Sequence, residues 1–305
     1  MNEPSPRRAV PSLSIHLRNF SPEDPGTWEP LLARARAADA AGVDRVVVSD
    51  HVAFGDDLTA YGDPARGGTA GGRQPTGADG HWLEPLTLLS VIAGQTTHVR
   101  LHTAILLAAL RRPVVLAKQL ATLDVLSNGR LVIGVGVGWQ RAEYEACGLD
   151  YTRRGTILDD TLEVLGALWT DPVAAVDNGV ASFSGVHAMP KPRQEGGVPL
   201  WVSGTMNDRV IDRAVRVGSG WIPWGVDAAD PVPALERLRL AFDRAGRTME
   251  GFEVSGTLPL VRDERRDLDL AATMDPLPAL VDAGVTDVRV HLDIPDDEDA
   301  ATALL

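Results

Sequence analysis

With 305 residues, 44% of them hydrophobic and 23% charged, the chain can build one α/β barrel or two small domains without disulfide staples. Its single cysteine, Cys147, excludes an intrachain disulfide framework, and a formal net charge of −13 argues against nucleic acid, whose phosphates are met by clustered Lys and Arg. No run approaches the ~20 apolar residues of a membrane span, and Ser12, Ser14 and His16 interrupt the segment after Arg7 and Arg8, so no signal peptide is expected and the reading is a cytoplasmic protein.

In chain order, a short apolar strand at 13–16 precedes a helix at 28–41 that stops at Gly42, and a second strand follows at 46–48. Residues 56–81 are rich in Gly, Asp and Pro and read as a mobile loop inserted over one end of the fold. A helix at 84–93, a strand at 99–107 and a helix at 113–126 come next; the last opens on Pro113 and ends before Asn128-Gly129. A strand at 131–137 leads to a helix at 154–169, whose Ile157, Leu158, Leu162, Leu165 and Leu168 form one apolar stripe. Strands at 200–202, 221–224, 252–260 and 288–292 alternate with helices at 207–217 and 233–245 and a less regular stretch after Arg266. The acidic run 296–299 leaves room for only a stunted last helix. Eight near-continuously apolar strands separated by helices predict parallel strands buried on both faces, hence a single (β/α)8 barrel over 1–305.

Such barrels carry their chemistry at the C-terminal ends of the strands, and the unusual residues fall there. His16 closes the first strand and Ser49-Asp50-His51 the second; Trp139 follows the fourth, Ser203-Gly204-Thr205 the fifth and Trp224 the sixth, while His291 and Asp293 close the eighth. Each has a plain structural alternative: Asp50 as a cap, His51 as a packed histidine, Trp139 and Trp224 as mouth packing. Gly134, Gly136 and Gly138 miss the dinucleotide spacing, because Trp139 and Arg141 stand where the third glycine belongs. They admit a flat ligand or close packing of barrel layers. Ser203-Gly204-Thr205 runs into a helix whose free N–H groups favour a phosphate, unless Thr205 or Asn207 caps it. No metal site is expected: His98 and His102 lack the glutamate of a zinc helix, and neither a nucleophile elbow nor a Walker A sequence is present.

Several blocks resemble the luciferase-like monooxygenase superfamily. They are 38–51, ending in Ser49-Asp50-His51; 100–106 through 112–119; and 122–130 followed by Gly134-Val135-Gly136-Val137-Gly138-Trp139. Arg153-Arg154-Gly155, Leu168-Trp169-Thr170, Pro190-Lys191-Pro192 and Gly220-Trp221-Ile222-Pro223 continue the match, which spans roughly 28–225.

The resemblance implies a barrel that binds coenzyme F420 or, alternatively, FMN, often as a homodimer. In the F420-dependent branch it implies a bulged third strand with a non-prolyl cis peptide, here Ala104–Ile105. Thr103, Ala104, Ile105, Gly136, Val137, Gly138, Trp139, Ser203, Gly204 and Thr205 would then hold the cofactor. Asp50 would position both the coenzyme and His51, and His51 would exchange a proton with a small organic substrate. His16, Trp28, Tyr61, Trp82 and Trp224 would line the substrate pocket. Trp139 replaces an acidic residue of some relatives, which suggests an apolar or planar substrate rather than a sugar phosphate. The readings that follow are an F420-dependent oxidoreductase, an FMN-dependent two-component monooxygenase fed by a separate reductase, or a non-catalytic flavin-binding barrel.

Overall fold

The computed structural model describes residues 10–305; Arg7 and Arg8, at which a signal peptide was discounted, lie outside the described residues. Eight parallel strands close into a barrel in chain order: β1 (Ser12–His16), β2 (Arg45–Val48), β3 (Arg100–Leu106), β4 (Leu131–Val135), β5 (Leu200–Gly204), β6 (Gly220–Pro223), β7 (Glu253–Thr257) and β8 (Asp287–Val290). The ring closes by pairing β8 with β1, Ser14 opposite Arg289, and β1 with β2, Ser14 opposite Arg45. All eight expected strands are present. Those expected at 99–107, 131–137 and 252–260 are shorter, because flanking apolar residues such as Val99, Val137, Phe252 and Leu258 pack in the core beyond either end of the ladder.

The surrounding helices are α1 (Glu29–Ala41), α2 (Pro85–Ala93), α3 (Pro113–Leu126), α4 (Arg141–Ala146), α5 (Arg154–Thr170), α6 (Asp208–Val217), α7 (Val232–Arg244), α8 (Leu270–Met274), α9 (Leu277–Ala283) and α10 (Glu298–Leu304). Gly42 ends α1 at φ 80°, a left-handed cap that glycine adopts without a Cβ clash. The last helix is short, as its acidic start suggests, yet it is docked: Ala301 is fully buried and Arg36 Nε donates to Glu298 at 2.7 Å. Two small antiparallel sheets were not expected. Phe20–Ser21 pairs with His81–Trp82, and Ala174–Asp177 with Ser182–Val186. Both are too short to show a period of two in the sequence.

Outward-facing strand residues join the helices in one large apolar core, whereas the lumen holds a small cluster of Val132, Trp201 and Ile222. Trp201 is accommodated because Gly220 faces it: a Cβ there would lie 2.7 Å from the indole. Below this plug the N-terminal end is closed by charge. Arg45 donates to Asp287 at 2.7 Å and to Glu253 at 2.5 Å, and the Ser14 hydroxyl donates to Asp287 at 2.6 Å. The expected exit residues lie at or just beyond the C-terminal ends of their strands.

Candidate active site at the barrel mouth

The exit of β2 builds the centre of the mouth. Asn19 clamps it, donating to the Ser49 carbonyl at 2.9 Å and accepting from the Ser49 N–H at 3.0 Å. The next two residues then diverge. Asp50 turns inward and is sealed: its carboxylate accepts from the Leu107 N–H at 2.8 Å and from both terminal nitrogens of Arg111, at 2.6 and 3.1 Å. Arg111 continues to Glu84 at 2.8 Å. Burial opposes the charge on Arg111, but Asp50 and Glu84 outweigh it and raise its pKa above the usual arginine value. Asp50 therefore ties β2 to the exit of β3 and does not orient His51.

Glu143 on α4 takes that role. Its fully buried carboxylate lies 3.2 Å from His51 Nδ1 and accepts from the Val52 N–H at 2.5 Å. A carboxylate at Nδ1 fixes the proton there and leaves Nε2 as the working nitrogen. Neither Glu143 nor Arg111 was singled out from the sequence. They lie 92 and 61 residues from their partners, a separation at which spacing carries no signal.

A chain of aromatic contacts walls the mouth. Phe20 stacks on Trp82 at 4.3 Å, Trp82 meets His51 edge-on at 5.1 Å, and His51 meets Trp139 at 5.8 Å. Tyr61 continues the line, 5.5 Å from Trp139 and 6.1 Å from Trp224. The expected wall of Tyr61, Trp82, Trp139 and Trp224 is thus contiguous, with Phe20 and Phe54 as additions. Trp28 is not part of it: it sits at the start of α1 and packs against the outer core. The loop 56–81 crosses the mouth and is fastened to it. Trp224 Nε1 donates to the carbonyls of Gly67 and Gly68, Trp82 Nε1 donates to Thr76, and the Tyr151 hydroxyl donates to the Arg66 carbonyl.

On the opposite side β3 shifts register between Thr103 and Leu106, and the Ala104–Ile105 peptide is cis. Ala104 and Ile105 are half-buried beside the lumen cluster. Thr103 is turned away, its hydroxyl donating to the Gly134 carbonyl at 3.1 Å, so it offers a ligand no free donor. Gly136 and Gly138 face protein: Cβ atoms there would lie 2.4 Å from Ile105 and 2.7 Å from Leu107. Of the two readings left open, layer packing is the one observed at both positions. Tyr144 and Tyr151 pin the exit of β4 by donating to the carbonyls of Val137 and Trp139.

At the exit of β5, Asn207 caps α6, accepting from the N–H groups of Arg209 and Val210 at 3.1 Å each. The Met206 N–H is taken by Asp227, and the Thr205 hydroxyl donates to the Trp224 carbonyl. These donors are therefore unavailable to a phosphate, and half-buried Ser203 and Gly204 are what this exit presents at the mouth. Across from it His16 and His291 face each other at 5.6 Å and border a cavity of about 400 Å³ that also touches Arg18, Phe20 and Pro75. His16 bonds Ser49 at 2.9 Å. Burial, reinforced by Arg289, His291 and Arg18, lowers its pKa to about 3, so it is neutral at physiological pH. Asp293 pairs with Arg262 at 3.1 Å, at the solvent edge. Among the described residues no cluster of metal-ligating side chains occurs, and no helix is long and apolar enough to cross a membrane.

Residues 12–277 match the family model for luciferase-like monooxygenases. An uncharacterised protein of Mycobacterium tuberculosis is 34% identical over 221 residues, covering 72% of this chain and 73% of the relative. The phthiodiolone/phenolphthiodiolone dimycocerosates ketoreductase of Mycobacterium kansasii is 30% identical over 196 residues, 63% of this chain and 53% of the relative. Among solved structures, an F420-dependent secondary alcohol dehydrogenase aligns with a TM-score of 0.72 at 16% identity, over 96% of this chain and 97% of that one. The monooxygenase RslO1 from Streptomyces bottropensis aligns with a TM-score of 0.71 at 20% identity over the same shares.

Proposed function

The chain belongs to the luciferase-like monooxygenase family, and we propose that within it the protein is an F420-dependent oxidoreductase acting on a small, largely apolar organic substrate. The observation that carries this reading is His51, braced through Nδ1 by Glu143 and set edge-on between Trp82 and Trp139 at the open end of the barrel. A non-catalytic flavin-binding barrel has no need of an imidazole held in one tautomer. The sequence blocks that resemble the F420-dependent branch, and a relative that is a ketoreductase, support hydride transfer at a carbonyl or alcohol carbon.

The residues present fit a flat cofactor ring in part. The β3 bulge offers a half-buried face at Ala104 and Ile105, Trp139 Nε1 is buried without a partner, and Ser203 and Gly204 open onto the mouth. These are the residues that would hold it, and when bound it supplies or accepts the hydride. The chain supplies the rest. His51 Nε2 holds the proton that a substrate oxygen gains or loses as the adjoining carbon is reduced or oxidised. The wall of Tyr61, Trp82, Trp139 and Trp224 excludes water and orients an apolar substrate.

Titrating the purified protein with F420 and with FMN tests the cofactor, and His51→Asn tests the proton transfer. F420 should bind in preference to FMN, and the variant should lose about 10²–10⁴-fold in kcat with cofactor affinity retained. Tight FMN binding without F420 binding would move the protein to the monooxygenase branch. Unchanged turnover would remove His51 from the chemistry.

A further inference from the structure

The inward face of β8 climbs from a sealed floor to the open mouth: Asp287 is fully buried, Arg289 half-buried and His291 exposed. Arg289 is the anomaly. Its Nε and Nη2 are sealed from solvent and have no hydrogen-bond partner, and no ion pair joins its guanidinium to any described residue. Buried polar groups are almost always satisfied, and a buried cation is normally paired. The carboxylate that acts on it is Asp287, two residues below. However, Asp287 Oδ1 already accepts from Ser14 and Arg45, and no hydrogen bond links it to Arg289.

Asp287 Oδ2 is buried and likewise has no hydrogen-bond partner, and no carboxylate among the described residues lies within ion-pair reach of the guanidinium. Arg289 is the strongest charge acting on His16, His102 and His291. Burial first, and Arg289 second, lowers the pKa of each, so these imidazoles stay neutral. His102 is itself sealed with both ring nitrogens unpartnered. Arg18 acts on His16 and His291 as well, so the neighbourhood of Arg289 is a cluster of neutral imidazoles and cations, and His16 joins it to the aromatic wall at Phe20, 6.2 Å away.

We propose that Arg289 is a recognition residue for an oxyanion: it anchors a carboxylate carried by the substrate, whose apolar part lies along the aromatic wall. A planar guanidinium presents parallel N–H groups that match a carboxylate in bidentate fashion. The inference rests on the mouth being the ligand site and narrows its substrate class to organic acids.

The test uses the protein without cofactor or turnover, so its result is independent of whether F420 or FMN binds. Benzoate and its neutral isostere benzamide are titrated at pH 7 by calorimetry and by thermal shift, with wild type, Arg289→Met and Arg289→Lys. Benzoate should bind wild type at least ~10-fold more tightly than benzamide, as expected for a charge-assisted pair. Arg289→Met should abolish that preference, and Arg289→Lys should keep part of it. The unliganded Met variant should melt no lower than wild type, because the cation it removes has no partner. Equal binding of the two probes by wild type, or benzoate affinity unchanged in Arg289→Met, overturns the proposal. The wild-type comparison stands even if a variant fails to fold.

Discussion

Two arginines enter the barrel on either side of Ser14, Arg45 on β2 and Arg289 on β8, and the surroundings treat them oppositely. Arg45 lies beneath the lumen plug with its guanidinium 5.0 Å from the Trp201 ring and two carboxylates in contact. Arg289 has two buried nitrogens and no partner. The first guanidinium is ion-paired within the protein through both terminal nitrogens, while its Nε and Asp287 Oδ2 stay without a hydrogen-bond partner. The second leaves donors for something that comes and goes. In a (β/α)8 barrel the N-terminal end serves stability and the C-terminal end serves chemistry, and here that division is visible in a single residue type.

The sharpest way to break the comparison is Arg45→Met. It strands fully buried Asp287 without its cation, and breaking a buried pair costs about 3–5 kcal/mol. Denaturant unfolding should show a loss of that size, with the benzoate-over-benzamide preference preserved. A loss as small as that expected for Arg289→Met would mean the two ends do not differ in this way.

A second contrast lies within one dipeptide. Asp50 and His51 look like a catalytic pair in the sequence, but Asp50 belongs to the structural side, held by Arg111 and the Leu107 N–H. Asp50→Asn should cost ~1–3 kcal/mol, the range for leaving a buried charged group partly unsatisfied. It should also leave the His51–Glu143 contact in place, seen as an unchanged imidazole tautomer by NMR. A shifted tautomer would return Asp50 to the orienting role.

The two contrasts also mark what the sequence could and could not show. Eight buried parallel strands write themselves as apolar runs, and the helices between them as stripes and stop signals, so the barrel and the end that carries His16, His51, Trp139 and Trp224 were legible. The family blocks added the position of the Ala104–Ile105 cis peptide. Partnership was not legible. Glu143 reaches His51 across 92 residues, and nothing local marks it as a brace. The glycines of the β4 exit were ambiguous because a Cβ-free position serves a ligand or a neighbouring side chain equally well, and Ile105 and Leu107 decided the matter. The partner of Asp50 was not legible for the same reason: adjacency in the chain says nothing about which way a carboxylate turns, and this one turns to Arg111 and the Leu107 N–H. Arg289 was overlooked because an arginine inside an apolar strand looks like an interruption until its missing partner is seen.

The smallest effect at neutral pH concerns His16, which lies on the mouth side of the same divide. Its folded pKa, lowered by burial, Arg289, His291 and Arg18 to about 3, sits below the unfolded value near 6.5. Between those two pH values the unfolded chain binds a proton that the folded chain refuses. The stabilising contribution is therefore complete above pH 6.5 and is lost as pH falls toward 3. His102, lowered by burial and by the same Arg289, adds to the slope in the same direction. His16→Asn should leave Tm almost unchanged at pH 7.5 and flatten its decline between pH 6.5 and 4, without abolishing it, because His102 remains. Parallel curves for variant and wild type would show that His16 takes up its proton in the folded protein as readily as in the unfolded one, and that burial does not hold this imidazole neutral.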